Sequence, residues 1–154
     1  LHYAGSHRWA EPLKTTFTRT LAENLAILLP TDRITLHPWP RSASIDYQVV
    51  LHVTRFDADA SGNVVLSASL EIVRQIGDSV SQRKKVSYTE PAGSMDYPAI
   101  VAAQSRALER LSRDIAEALP AQDITVEKRM ILRATPPVVM KDEARMKNGI
   151  ARSV

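Results

Sequence analysis

The sequence predicts an α+β fold: an antiparallel, meandering β-sheet with two amphipathic helices packed on one face. Three observations carry this. Two stretches, near residues 10–29 and 96–119, repeat apolar residues at helical spacing, and the stretch between them alternates apolar and polar residues with a period of two. Each strand then has one apolar face and each helix one apolar stripe, so both helices on the same side of the sheet bury them all. The chain of 154 residues is about one domain. A domain of this size buries roughly 68–70% of the surface its unfolded chain exposes.

In the first helix Leu13, Phe17, Leu21, Leu25 and Leu28 recur at steps of four and three, on one face. Pro12 suits the first turn, where a missing N–H costs no intrahelical bond, and Pro30 is a stop. The second helix repeats this punctuation, with Asp96 as N-cap, Pro98 in the first turn and Pro120 just past Leu119. Its stripe is Ile100, Ala103, Ala107, Leu108, Leu111, Ile115 and Leu119.

Between the helices, Arg33 to Leu36 is a short strand ended by Pro38, and Tyr47, Val49, Leu51 and Val53 alternate with Gln48, His52 and Thr54 in a longer one. A turn rich in Asp, Ser, Gly and Asn leads to a partner in which Val64, Leu66, Ala68, Leu70 and Ile72 alternate with Ser67, Ser69 and Glu71. In a further run Val86 and Tyr88 face opposite to Arg83, Lys85 and Ser87. These elements define a domain over residues 1–120. Beyond Pro120 the pattern breaks: Ile124 to Leu132 fits a strand or a mixed helix, Pro136-Pro137 interrupts it, and Lys141 to Lys147 is too short for an isolated helix. Residues 121–154 therefore read as a basic tail, flexible or docked on a partner.

Hydrophobic residues at 44% and charged residues at 24% exclude a disordered or collagen-like chain. The absence of Cys removes thiol chemistry and Cys-ligated metals. No run reaches the ~18–20 apolar residues of a spanning helix. The chain starts at Leu1 without a basic n-region and apolar h-region, so it reads as a piece from which any targeting segment is gone. The net charge of +3 is confined to the tail: residues 1–120 carry 13 basic and 13 acidic side chains, and residues 121–154 carry 7 and 4. An electrically neutral body with no helix-turn-helix, zinc-finger or RNP-type motif argues against nucleic acid as a partner.

Asp57-Ala58-Asp59-Ala60-Ser61-Gly62 has the oxygen spacing and glycine of an EF-hand loop, but Ala68 stands where the bidentate twelfth ligand belongs. The segment reads as a polar hairpin turn in which Gly62 or Asn63 takes a positive φ. His2, His7, His37 and His52 have no metalloprotease spacing, and no nucleophile elbow, Walker loop or Rossmann glycine pattern occurs among five glycines. Glu109 and Asp114, five apart, point away from each other on a helix. The sequence thus assigns no catalytic residue, no metal site and no cofactor, and the chain is read as no enzyme.

Two surface features remain. Arg83-Lys84-Lys85 is a basic cluster on an edge strand, where it either guards against edge pairing or attracts anionic lipid headgroups at roughly 1 kcal/mol per basic residue. These three are the membrane-surface candidates. In Pro38-Trp39-Pro40-Arg41 two prolines hold a large aromatic in a stiff, extended segment. Trp39 and Arg41, with Trp9, are the partner-binding candidates, since Trp and Arg dominate interface energy; the same indoles also suit sealing the core.

The runs His7-Arg8-Trp9-Ala10-Glu11-Pro12-Leu13, Leu21-Ala22-Glu23-Asn24-Leu25, Pro38-Trp39-Pro40 leading to Asp46-Tyr47, and Ser105-Arg106-Ala107-Leu108-Glu109-Arg110-Leu111-Ser112 together resemble the PqiC-type ABC-transport auxiliary lipoproteins. The resemblance spans about residues 1–120 and implies a periplasmic domain, held at the outer membrane by a lipidated Cys that this sequence lacks. It further implies an accessory role in an MCE-type lipid transport system beside an MCE-domain protein, a homo-oligomer, and one or two strands ahead of the equivalent of Leu1. A periplasmic carrier that holds lipid between sheet and helices is the alternative.

Overall fold

The computed structural model of the chain describes residues 11–38, 44–75, 79–120 and 123–136. Along them run α1 (Glu11–Leu28), β1 (Ile34–Leu36), β2 (Tyr47–Ala58), β3 (Asn63–Arg74), β4 (Ser79–Pro91), α2 (Tyr97–Ala118) and β5 (Met130–Thr135). The α+β class follows the periodicity, with both helices packed on one face of a five-stranded sheet, α2 over β3 and β4 and α1 toward β1 and β5.

α2 begins where its punctuation predicts. The Asp96 carboxylate accepts the Ala99 N–H at 2.9 Å, Pro98 lies in the first turn, and Leu119 donates its N–H to the Ile115 carbonyl at 3.1 Å. The Ala99 N–H, and after it the Ser94 hydroxyl, hold the Asp96 carboxyl below the usual carboxylate range. The buried stripe is Ala103, Ala107, Leu108, Leu111, Ser112 and Ile115. Phe17, Leu21 and Leu25 supply the matching stripe of α1. Where the helices meet, the buried Ser112 hydroxyl donates to the Leu108 carbonyl at 2.7 Å and accepts from Asn24 Nδ2 at 3.1 Å, so its polarity is satisfied without water.

β2, β3 and β4 form the expected antiparallel meander, with Leu51 opposite Leu70 and Leu66 opposite Tyr88. β3 alternates without a break: Val64, Leu66, Ala68, Leu70 and Ile72 are buried and their neighbours half-exposed. β2 does not, because Thr54 is an extra residue between Val53 and Arg55. This bulge moves the buried set from odd to even numbers and aims Phe56 at the core, where its ring meets Phe17 edge-on with centroids 5.4 Å apart. In the turn that follows, Asp59 Oδ1 accepts the N–H groups of Ser61 at 2.9 Å and Asn63 at 3.0 Å, and Gly62 takes φ 80°. The Asp59 carboxylate thus serves the turn, and no cluster of three metal-binding side chains occurs among the described residues.

The departure from the sequence reading is β5. Residues 121–154 read as a tail, yet Met130–Thr135 insert between β1 and β2, parallel to both, and set the order β1-β5-β2-β3-β4. The meander therefore stops at β2, and β1 pairs with β5 instead of its sequence neighbour. Met130, Leu132 and Ala134 join the core beneath the helices, while Ile131, on the other face, is also fully buried. Burial on both faces at Met130-Ile131-Leu132 leaves only the exposed Arg133 and the half-buried Thr135 to mark a polar face, too few for a period-two signal. Residues 137–154, the rest of the predicted tail, lie outside the described residues.

Candidate functional site

Two polar clusters stand out from the apolar frame. The first forms at the sheet end where β2 and β5 start and β3 finishes, with Tyr47 opposite both Arg74 and Met130. Asp46, Tyr47, Arg74, Asp123 and Lys128 line an opening of about 200 Å³ there. Arg74 Nη2 donates to Asp123 Oδ2 at 2.6 Å, and the Tyr47 hydroxyl donates to the same oxygen at 3.1 Å. The Arg74 guanidinium, 5.8 Å from the Tyr47 ring centroid, is held charged by that hydroxyl and then by Asp123. Asp46 Oδ2 accepts the Arg129 N–H at 2.9 Å, and Thr31, fully buried, donates its hydroxyl to the Lys128 carbonyl at 2.7 Å. Each of its carboxylates accepts from a cation or an N–H. The cluster fastens the connection from α2 into β5 onto the sheet end.

The second cluster ties α2 to β4. Glu90 accepts Arg106 Nε at 3.1 Å and Arg110 Nη1 at 3.0 Å, and the same arginines reach the carbonyls of Pro91 at 2.8 Å and Thr89 at 3.4 Å. One turn below, the Tyr88 hydroxyl donates to Asp114 Oδ2 at 2.5 Å with the Arg110 guanidinium 5.1 Å from the ring centroid. Burial first, and then the Asp114 carboxylate, push the Tyr88 pKa up against the opposing pull of Arg110, so the phenol stays a protonated donor.

For Glu90, burial favours the neutral acid, but the two guanidiniums outweigh it and hold the carboxyl below its usual value of 4.5. A depressed folded-state pKa stabilises the protein above the unfolded value, and this contribution is lost as pH falls through the folded value. Glu90→Gln is therefore expected to cost less than about 1 kcal/mol at neutral pH, because both arginines are half-exposed. Thermal melts compared from pH 7 downward should show the gap to the unsubstituted protein shrinking below pH ~4.5; a gap that widens with acid would reject the ion-pair assignment.

The sequence-named residues scatter. Trp9, Trp39 and Arg41 lie outside the described residues. Arg83, Lys84 and Lys85 are all exposed on β4 but do not share a face. Arg83 and Lys85 project from the face away from the helices, opposite Glu71 and Ser69, and Lys84 projects from the helix side, opposite Leu70. Arg83 chelates Glu71 Oε2 through Nε at 2.9 Å and Nη2 at 2.8 Å. His52 is exposed, with Nδ1 2.9 Å from the Thr135 hydroxyl. Glu109 faces Arg113 at 3.6 Å and Asp114 faces Tyr88, so these two carboxylates point apart as their spacing predicts. The sequence reading passed over Tyr88, Arg106 and Arg110. Arg106 and Arg110, one turn apart, were legible as a helical pair, whereas their partner Glu90 was not.

Among the described residues no helix is long and apolar enough to cross a membrane. No curated protein matches the chain. Among solved structures, an uncharacterized protein is 21% identical over 73% of this chain and 69% of its own, with a TM-score of 0.58, which shows a shared fold. A Xanthomonas campestris protein of the DUF330 family is 22% identical over 46% of this chain, which spans 43% of that protein, with a TM-score of 0.42. A Caulobacter crescentus protein is 19% identical over 64% of this chain and 74% of its own, with a TM-score of 0.38. The family described as the ABC-type transport auxiliary lipoprotein component matches residues 1–116. That match takes in α1, β1 to β4 and α2 up to residue 116, and with it the chain belongs to the family of ABC-type transport auxiliary lipoprotein components.

Proposed function

We propose that the chain is a non-enzymatic, periplasmic accessory subunit of an MCE-type ABC lipid transport system, docking the transporter at the outer membrane. The family, an auxiliary transport component and not a catalytic one, supports the accessory role. The observation that carries the docking reading is the filled interior. Phe17, Leu21, Leu51, Leu66, Leu111 and Ile115 are each exposed by 1% or less between helices and sheet. A lipid carrier needs hundreds of Å³ of apolar space in that layer, and close-packed side chains occupy it. In this reading a lipidated cysteine holds the full-length protein at the outer membrane, copies of the chain associate, and an MCE-domain protein is the partner.

Trp9, Trp39 and Arg41 are the proposed contacts, because tryptophan and the planar cation of arginine are typical interface anchors. In pull-downs with the MCE-domain protein of the same system, replacing Trp39 and Arg41 by Ala together should weaken binding ~30-fold or more, the effect of losing a hot spot. Undiminished binding would move the interface elsewhere. Phospholipid co-purifying with the chain at about one molecule per copy would favour the carrier reading and overturn this one.

A further inference from the structure

The geometry points to the exposed edge of β4 as a strand-addition site that takes an extended, acidic segment of a partner protein. The inference rests on the sheet edge alone and stands apart from the transport reading.

Among the described residues β4 pairs with β3 alone, on one side. The phase of that ladder is fixed at its end, where the Ala92 N–H donates to the Gly62 carbonyl at 2.9 Å. Stepping back by twos from this hydrogen-bonded pair, Glu90, Tyr88, Val86 and Lys84 turn their backbone groups toward β3, and Pro91, Thr89, Ser87, Lys85 and Arg83 turn theirs outward. The outward groups divide into two halves. Pro91 has no N–H, its carbonyl accepts from Arg106, and the Thr89 carbonyl accepts from Arg110, so α2 closes the end of the edge. Ser87, Lys85 and Arg83 have no backbone partner on that side among the described residues, and each offers one N–H and one C=O. The strand is closed where the helix reaches it and open where it does not.

Charge decides what pairs there. Glu71 neutralises Arg83, while Lys84 and Lys85 have no ion pair among the described residues and point to opposite faces of the strand. A second copy of the chain added antiparallel about Lys85 would set Lys85 against Lys85, with Arg83 and Lys84 nearby, and like charges directly opposite are destabilising. The same lysines that refuse a second β4 favour carboxylates on an incoming strand. On the helix side, the half-buried Val86 offers an apolar neighbour beside Lys84. The fitting segment is thus extended, acidic, and broken by apolar side chains.

The test uses the whole chain and a synthetic peptide of about ten residues alternating valine and glutamate, with a valine–lysine peptide as control. Binding of the acidic peptide, read by fluorescence anisotropy, should slow amide exchange at Arg83, Lys85 and Ser87 ~10-fold or more, since those N–H groups gain acceptors. Lys84→Glu with Lys85→Glu should weaken binding ~10-fold. Lys85→Pro should do the same while leaving the melting temperature in place, because the lost N–H points away from β3. Unchanged exchange at those amides, or equal binding of the lysine peptide, would overturn the proposal. So would their protection in peptide-free protein that sediments as a dimer, which would make a second copy the occupant. Charge-reversal-sensitive binding to anionic phospholipid vesicles without peptide protection would likewise overturn it in favour of a membrane surface.

Discussion

Ending the chain after residue 120 is expected to abolish cooperative folding. The deletion removes β5, which is paired with β2 from Tyr47 to His52 and with β1 from Ile34 to Leu36. Met130, Ile131 and Leu132 are each exposed by 1% or less. At about 1.5–3 kcal/mol per buried side chain, their loss removes roughly 4.5–9 kcal/mol. The whole stability of a domain is about 5–15 kcal/mol. The deletion also strips β1 of its partner and turns the long, apolar β2 into an unprotected edge. Circular dichroism of the shortened chain should show no sharp thermal transition, and a chain ended after residue 136 should regain one. A sharp transition in the shorter chain at the temperature of the whole protein would show that β5 is no part of the cooperative unit.

Phe17→Ala is expected to cost about 3–5 kcal/mol, the range for deleting a buried aromatic ring. Phe17 is 1% exposed and edge-on to Phe56, so its loss empties the contact between α1 and the bulged part of β2. For a domain of this size that is a fall in melting temperature of about 6–20 °C. Leu28→Ala on the same helix, at 42% exposure, is the control and should stay within about 0.5 kcal/mol. Combining Phe17→Ala with Phe56→Ala should fall short of the sum of the two by about 0.5–1.5 kcal/mol, the extra worth of an aromatic pair. Additivity would mean that the rings share a core without sharing a contact.

The elements that the sequence made legible are those governed by neighbours. The α2 stripe, its Asp96 cap and Pro98 lie within one helix, and the β2–β3 hairpin closes through the local bonds of Asp59. β5 was illegible because Met130-Ile131-Leu132 is buried on both faces, so its pattern depends on strands far off in the chain. The bulge at Thr54 left no mark either, since Phe56 off the odd-numbered register reads as an exposed aromatic until β3 is in place. The polar clusters follow the same division. Tyr47, Arg74 and Asp123 come from two strands and a connection, and Glu90 finds Arg106 and Arg110 across the sheet-to-helix gap. No spacing rule links such residues. The triplet Arg83-Lys84-Lys85 was visible as charge, but its use depends on which backbone groups β3 leaves over.

Placing β5 between β1 and β2 inverts the order of synthesis and the order of assembly along one flank. By the time α2 has emerged, β2 to β4 can zip together, yet β1 waits beside a vacant lane that only the last described stretch can fill. Closure over so long a loop is slow and leaves apolar lining bare meanwhile. A nascent copy is therefore at its stickiest just before β5 arrives, and it is then that a holdase has most to offer.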